Sequence, residues 1–307
     1  SFCSRLCKCI VEGNEPVTTQ VIGNALTAAS VFAIVGVSFA LLYRVLRFFH
    51  FSHAIVITAG AYSALYMRDL GIPFWLAIGF GIAGSAAVGL VVDVAVVLRL
   101  RRRGAGATAL LLASLGLYVA LENLTSLAFG EASRSLRSWL VSEGLAVLGA
   151  RFTWVQIAMV LSGAATCGLT VVLLMFTNVG RLVRAVACEP ELARAVGLRG
   201  GLATGFAVLW ASVLAGGAGV LLAMDVGAAP HMGIRPLLMG VVAMIIGGVG
   251  TLWGVVVGAG LLAAAQQVAA VWLSSTWQDA VAFAALLVFL VLRPQGVVHR
   301  RGDDILP

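Results

Sequence analysis

Apolar residues run along this chain in windows of about twenty with few or no charges, separated by short charged or glycine- and proline-bearing stretches. A helix of that length crosses roughly 30 Å of hydrocarbon, so each window predicts a membrane span. Nine are expected, at about Val17–Tyr43, Phe51–Met67, Pro73–Leu98, Ala105–Phe129, Thr153–Asn178, Leu202–Asp225, Leu237–Ile246, Trp253–Leu273 and Ala280–Leu292. The seventh is too short to cross alone and is bounded by Gly247 and Gly248. Short, glycine-interrupted segments of this kind often line a transport site. The first, second and last windows also fit split or re-entrant paths. The alternating segments of about ten residues that mark a transmembrane barrel are absent from the pattern. The predicted class is all-α, a polytopic transmembrane bundle of about 8–10 spans.

Composition agrees with that pattern. Mean hydropathy is +1.04, and 61% of the 307 residues are hydrophobic while only 11% are charged. A soluble chain has about a quarter charged residues. The net charge of +7 does not point to nucleic acid, because the basic residues sit between apolar windows, where they set topology. With the N-terminus outside, thirteen basic residues face inward (Arg44, Arg47, Arg99, Arg101, Arg102, Arg103, Arg181, Arg184, Arg194, Arg199, Arg293, Arg300, Arg301) and seven face outward. The expected orientation is therefore N-out and C-in. Residues 1–16 read as an extramembrane segment, 17–298 as the membrane domain and 299–307 as a tail. Cys3, Cys7 and Cys9 form a C-x3-C-x-C pattern that fits no common zinc spacing, so no metal site is expected.

One stretch stands apart from the apolar background. RLVRAVACEPELARAVGLRG, from Arg181 to Gly200, carries six charges in twenty residues between two apolar windows. Pro190 suits a first helical turn, and Glu189 and Glu191 favour the positive end of a helix. Leu192, Ala193, Ala195 and Val196 supply a short apolar surface, and Gly197 suits a left-handed stop. The expectation is a helix of about two turns outside the bilayer, with Arg181–Cys188 as the frayed end of the fifth span. So short a helix needs a surface to rest on: the bilayer, its own protein or a groove of a soluble partner. Gly250, Gly254 and Gly258 recur every four residues, a small-residue stripe suited to close helix packing in lipid. No internal repeat is evident.

The charged stretch resembles the cytoplasmic loop of the permease subunits of bacterial branched-chain amino acid ABC importers, the LivH type, whose relatives carry urea or short amides. Gly180, Arg181, Arg184, Ala185, Ala193, Gly197 and Leu198 meet the family pattern. VFAIVGVSFALLYRVLRFFHFSHAIVITAGAY resembles the first two family spans, GGVGTLWGVVVGAGLLAAAQQ a late glycine-rich span, and LRPQGVV the end. Where the family has F-A-H-G and an acidic residue, this chain has Phe51, Ser52, His53, Ala54 and Ile55, so no role for that acid is carried over.

The resemblance implies a transport subunit rather than an enzyme, in a bacterial inner membrane. Its partners would be a second permease subunit, two cytoplasmic ATPase subunits and an extracytoplasmic substrate-binding protein. No phosphate-binding G-x-x-x-x-G-K-[ST] occurs, so ATP and magnesium would be bound by the partner ATPases and no cofactor by this chain. Arg181, Arg184, Glu191, Leu192, Ala193, Val196 and Gly197 would form the ATPase-coupling loop. Polar residues in spans are costly in lipid and usually face a cavity or the protein interior. That rule makes Asn24, His53, Thr58, Glu122, Asn123, Gln266 and Gln267 candidates for the path, with Ser38, Asp93 and Gln156 as further polar positions. Three of these have a plainer role open to them: Asp93 and Glu122 could pair with Arg99 or Arg101–Arg103, and His53 equally suits a packed core. The cargo stays open among hydrophobic amino acids, urea, short amides or another small organic solute. An ion-coupled carrier is the alternative class, but it would leave the charged stretch without a role.

Overall fold

The computed structural model describes residues 15–136, 144–147, 150–249, 251–293 and 295–298. Cys3, Cys7, Cys9, Gly250, residues 1–14 of the expected N-terminal segment and the tail from 299 lie outside them. Nine apolar helices answer to the nine windows: α1 (Glu15–Leu46), α2 (His53–Asp69), α3 (Phe74–Arg102), α4 (Ala107–Phe129), α5 (Trp154–Phe176), α8 (Gly200–Asp225), α9 (Ile234–Gly247), α10 (Leu252–Trp272) and α11 (Gln278–Leu292). Between α5 and α8 lie two shorter helices, α6 (Asn178–Cys188) and α7 (Pro190–Ala195). Seven of the described helices are long and apolar enough to cross a membrane. The chain is a polytopic helical bundle. Among the described residues one antiparallel strand pair, β1 (Gly144–Val147) with β2 (Ala150–Thr153), precedes α5, and Thr153 with Gln156 closes a capping box at the start of that helix.

The hydrophobic pattern does not distinguish α6 from α5, but the structure separates them. Thr177 adopts extended backbone (ψ 154°), and its hydroxyl accepts from the Gly180 amide at 3.0 Å. That side chain stands in for the missing turn, so a new helix starts instead of the old one fraying. Gly180 tucks against the Leu173 and Leu174 carbonyls, where a Cβ would collide.

The core is built from α1, α2, α8 and α9, with α3 and α10 packed against them. In lipid the hydrophobic effect does not drive one helix against another, so small residues and close backbone contact must do so. A Cβ on Gly60 of α2 would lie 2.7 Å from the Gly216 Cα of α8, and one on Gly240 of α9 would lie 2.9 Å from the Gly36 nitrogen of α1. Gly254 and Gly258 of the predicted stripe press on Gly247 and Ala243 of α9. In contrast, α4, α5 and α11 bury little of their length and present apolar side chains outward.

These contacts form a repeat that the sequence conceals. α1 packs on α8, α9 and α10, and α8 packs on α1, α2 and α3. Gly36 and Gly60 recur as Gly216 and Gly240 at the same spacing along the chain, and each partner glycine lies in the other half. The end of α1 lies beside the start of α8, around Val45 and Thr204. The start of α1 lies beside the end of α8, around Asn24 and Asp225. The two helices are therefore antiparallel, and the two halves are inverted relative to each other, an arrangement known from transporter folds.

In each half a short helix follows a break. Residues 47–52 fold back into the bundle so that α2 begins at the depth of Ser38, whose Oγ is 3.1 Å from His53 Nε2. Residues 226–233 fold in from the opposite end, and Gly233 meets Ala54 and Thr58 at the start of α2. The two short helices thus begin against each other inside the bundle. Non-helical backbone at such depth is tolerated where protein or a cavity surrounds it. Here Ser114 supports the first break, taking the Phe51 amide at 3.1 Å while its carbonyl accepts from Ser52 Oγ at 2.9 Å.

Candidate functional site

At one end of the bundle a cavity of about 560 Å³ opens among α1, α5, α9, α10, the end of α8 and the second break. Side-chain amides ring it: Asn24, Gln156, Gln266, Gln267 and Gln278. Deeper surfaces come from Val31, Phe32, Met159 and Met239. Two residues of opposite charge also line it, Asp225 from the last position of α8 and Arg235 from the first turn of α9. Arg235 donates through Nε and Nη2 to Asp279 Oδ1 at 3.1 and 2.9 Å. Gln266 is nearly fully buried, with its Nε2 reaching Met239 Sδ at 3.3 Å and the Gln278 carbonyl at 3.4 Å.

The break that carries Asp225 and Arg235 to one cavity is held in place. Gly227 has φ +102°, a backbone that side chains rarely adopt. Ala228 exchanges two backbone hydrogen bonds with Arg134, at 2.9 and 2.7 Å. Arg134 in turn pairs with Asp69 at 2.9 Å.

The predicted path residues divide into three groups. Asn24, Gln266 and Gln267 line this cavity together with Gln156. His53 and Thr58 are buried at the meeting point of the two breaks. Glu122 and Asn123 lie on α4, where Glu122 takes a hydrogen bond from Tyr118, and Asn123 donates to the Val119 carbonyl at 2.7 Å. Among the described residues neither Asp93 nor Glu122 is within ion-pair distance of an arginine. Asp93 instead opens a π turn, Asp93–Val97, within α3.

The opposite end of the bundle carries the charged stretch. α6 lies across the ends of α5 and α8 with Val183 buried, Arg184 half-buried and Arg181 exposed. α7 starts at Pro190 and stops before Gly197, which has φ +80°. Ala193 seats it on the bundle, while Leu192 and Val196 are 62% and 66% exposed. Beneath it a crevice of about 430 Å³ is bounded by Arg101, Arg194 and Thr204. Arg47, a residue assigned only to topology by its sequence context, donates to the Ala187 and Cys188 carbonyls at the end of α6. Its role, like those of Asp225 and Arg235, has no local sequence signal, because the partners are distant in the chain.

A family model described as the permease component of branched-chain amino acid transport systems matches residues 21–290. The chain belongs to that family. The permease is 24% identical to the high-affinity branched-chain amino acid transport system permease protein LivH of Escherichia coli K12 over 90% of its length and 94% of that protein. It has the same identity and coverage with LivH of Salmonella typhimurium. It is 25% identical to BraD of Pseudomonas aeruginosa, over 92% and 95% of the two chains. Among solved structures the permease resembles PsaBC from Streptococcus pneumoniae in complex with Fab, with a TM-score of 0.51 at 15% identity over 90% and 92% of the chains. That likeness speaks to the fold alone.

Proposed function

We propose that this permease is the membrane subunit of an ABC importer for branched-chain or other hydrophobic amino acids. In this reading a second permease subunit completes the path, two ATPase subunits drive it, and an extracytoplasmic protein delivers the substrate. The observation that carries the reading is α7. A helix of six residues is not stable by itself. This one is anchored by Ala193 and turns Leu192 and Val196 outward, away from the bundle. Two exposed aliphatic side chains on a short charged helix suit insertion into a groove of a soluble partner. The rigid connection from α7 through α6 to α5 and α8 would pass closure of the ATPases to the spans. α7 then faces the cytoplasm and the amide-lined cavity faces outward, in keeping with N-out and C-in.

Co-purification in mild detergent with the ATPase subunits encoded nearest to it tests the reading. Wild type should retain them, whereas Leu192→Asp and Gly197→Trp should lose them while keeping a monodisperse elution profile. Retention by both variants would remove α7 as the docking element. A wild-type chain that never carries an ATPase would remove the importer reading.

A further inference from the structure

The crevice beneath α7 gathers positive charge from two distant parts of the chain. α3 and α8 run antiparallel in steps of four residues: Gly81 lies against Val220, Ser85 against Gly216 and Gly89 against Ser212. The same steps carry Arg101, at the end of α3, to Gly200 at the start of α8, and both line the crevice. Arg194 reaches it from α7. No acidic side chain lines it. Arg101 gives Nη2 to the Leu46 carbonyl and Arg194 gives Nε to the Pro190 carbonyl at 3.2 Å, so each keeps further donors on its fork. Among the described residues neither is in an ion pair. The acid that acts on Arg101 is Asp93, deeper on α3 and outside the lining. Glu189 and Glu191 are exposed and also outside it.

The surroundings fit one kind of anion. Arg99, Arg102 and Arg103 stand exposed on the turns around Arg101, where an apolar span leaves the bilayer. Such arginine clusters at the membrane boundary attract anionic headgroups. Val45, Val186 and Leu198 give the crevice an apolar side. Below it, Val94 of α3 and Leu202 and Leu209 of α8 are exposed aliphatics, a surface for acyl chains. A Cβ on Gly200 or Gly201 would meet nothing within 4 Å, so the start of α8 stands open. No side chain caps that helix, and its dipole adds to the positive potential.

We propose that this crevice binds one anionic phospholipid, its phosphate held between Arg101 and Arg194 and its acyl chains running along α3 and α8. The bound lipid fills space under α7, which Ala193 otherwise seats alone. The site does not depend on the import reading.

The test is native mass spectrometry of the delipidated full chain in detergent, titrated with dioleoyl phosphatidylglycerol or dioleoyl phosphatidylcholine. Hydrogen bonds from two arginines support a preference of about 10–100-fold for phosphatidylglycerol. Arg194→Gln should reduce that preference about tenfold. Gly201→Leu places its side chain in open space and should block the headgroup without disturbing the fold, which keeps the test valid if an arginine variant is unstable. Arg293→Gln removes the same charge from an exposed position outside the crevice and should bind like wild type. Equal retention of the two lipids overturns the site. So does a preference that survives both crevice variants, or one that falls equally in Arg293→Gln, which would mean diffuse attraction to charge. Inorganic phosphate that displaces phosphatidylglycerol at equal concentration would make this a site for free phosphate and overturn the lipid.

Discussion

The guanidinium of Arg47 donates to the backbone carbonyl of Ala187, joining the first break to the end of α6. A second bond runs to the Cys188 carbonyl at 3.2 Å. The position is costly in two ways. Arg47 has φ +59°, a left-handed backbone that costs a non-glycine residue roughly 1–2 kcal/mol. It also fixes a long side chain at an exposed site. Behind it Arg101 donates to the Leu46 carbonyl and lies 5.6 Å from the centre of the Phe48 ring. The two arginines fasten the end of α1 and the break to the element that precedes α7.

Arg47→Ala should therefore leave the permease folded and its ATPase subunits bound, yet lower substrate-stimulated ATP hydrolysis in the reconstituted complex. Loss of about 1 kcal/mol of coupling corresponds to roughly a fivefold drop. Arg47→Gly removes the backbone strain as well as the contact, so a matching loss in both variants assigns the effect to the contact. Full activity in Arg47→Gly with loss only in Arg47→Ala would assign it to strain.

The central glycines make a second prediction. Gly60→Val drives side-chain atoms into the Gly216 backbone, because even its Cβ would stand 2.7 Å away. Overpacking of this kind costs about 1–3 kcal/mol. Its thermal midpoint in detergent, read by fluorescence-detected gel filtration, should fall by several degrees. Gly79→Ala and Gly217→Ala meet nothing within 4 Å and should unfold with wild type.

Gln266 offers a nearly isosteric probe of the cavity. Gln266→Leu keeps the volume beside Met239 and removes the amide. Thermal stability should change little, while leucine uptake by the assembled transporter falls about two- to tenfold, the range of one hydrogen bond. A large loss of stability would instead make Gln266 a structural residue.

The Asp69–Arg134 pair should matter little to stability. The Asp69 side chain is 49% exposed and that of Arg134 40%, and such pairs contribute about 0.2–1 kcal/mol at most. The hydrogen bonds between Arg134 and Ala228 are made by backbone and survive Arg134→Ala. Melting curves of that variant at low and high salt should differ less than those of the wild type.

The apolar helices were legible in the sequence because burial in lipid demands a continuous apolar run; each of the nine windows marks one such helix, seven of them long enough to cross a membrane. Pro190 and Gly197 were legible for a similar local reason: their backbone preferences act on their own turn. The break at Thr177 was not, since threonine interrupts an apolar run weakly and only its hydroxyl contact with the Gly180 amide reveals a cap. The small-residue stripe that includes Gly254 and Gly258 was visible, but not that the partner of these two is α9.

What the sequence determined by itself is the class, the number of apolar helices and the exposed charged helix, all set by interactions with lipid, water or near neighbours. Only the tertiary structure decided that Gly36 meets Gly240 while Gly216 meets Gly60, making the halves inverted copies. It alone brought Asn24, Gln266 and Gln267 to the cavity of Asp225 and Arg235, and left Asn123 on an outer helix. Those pairings depend on backbones from distant parts of the chain approaching within van der Waals contact, and hydropathy carries no information about which small residue meets which.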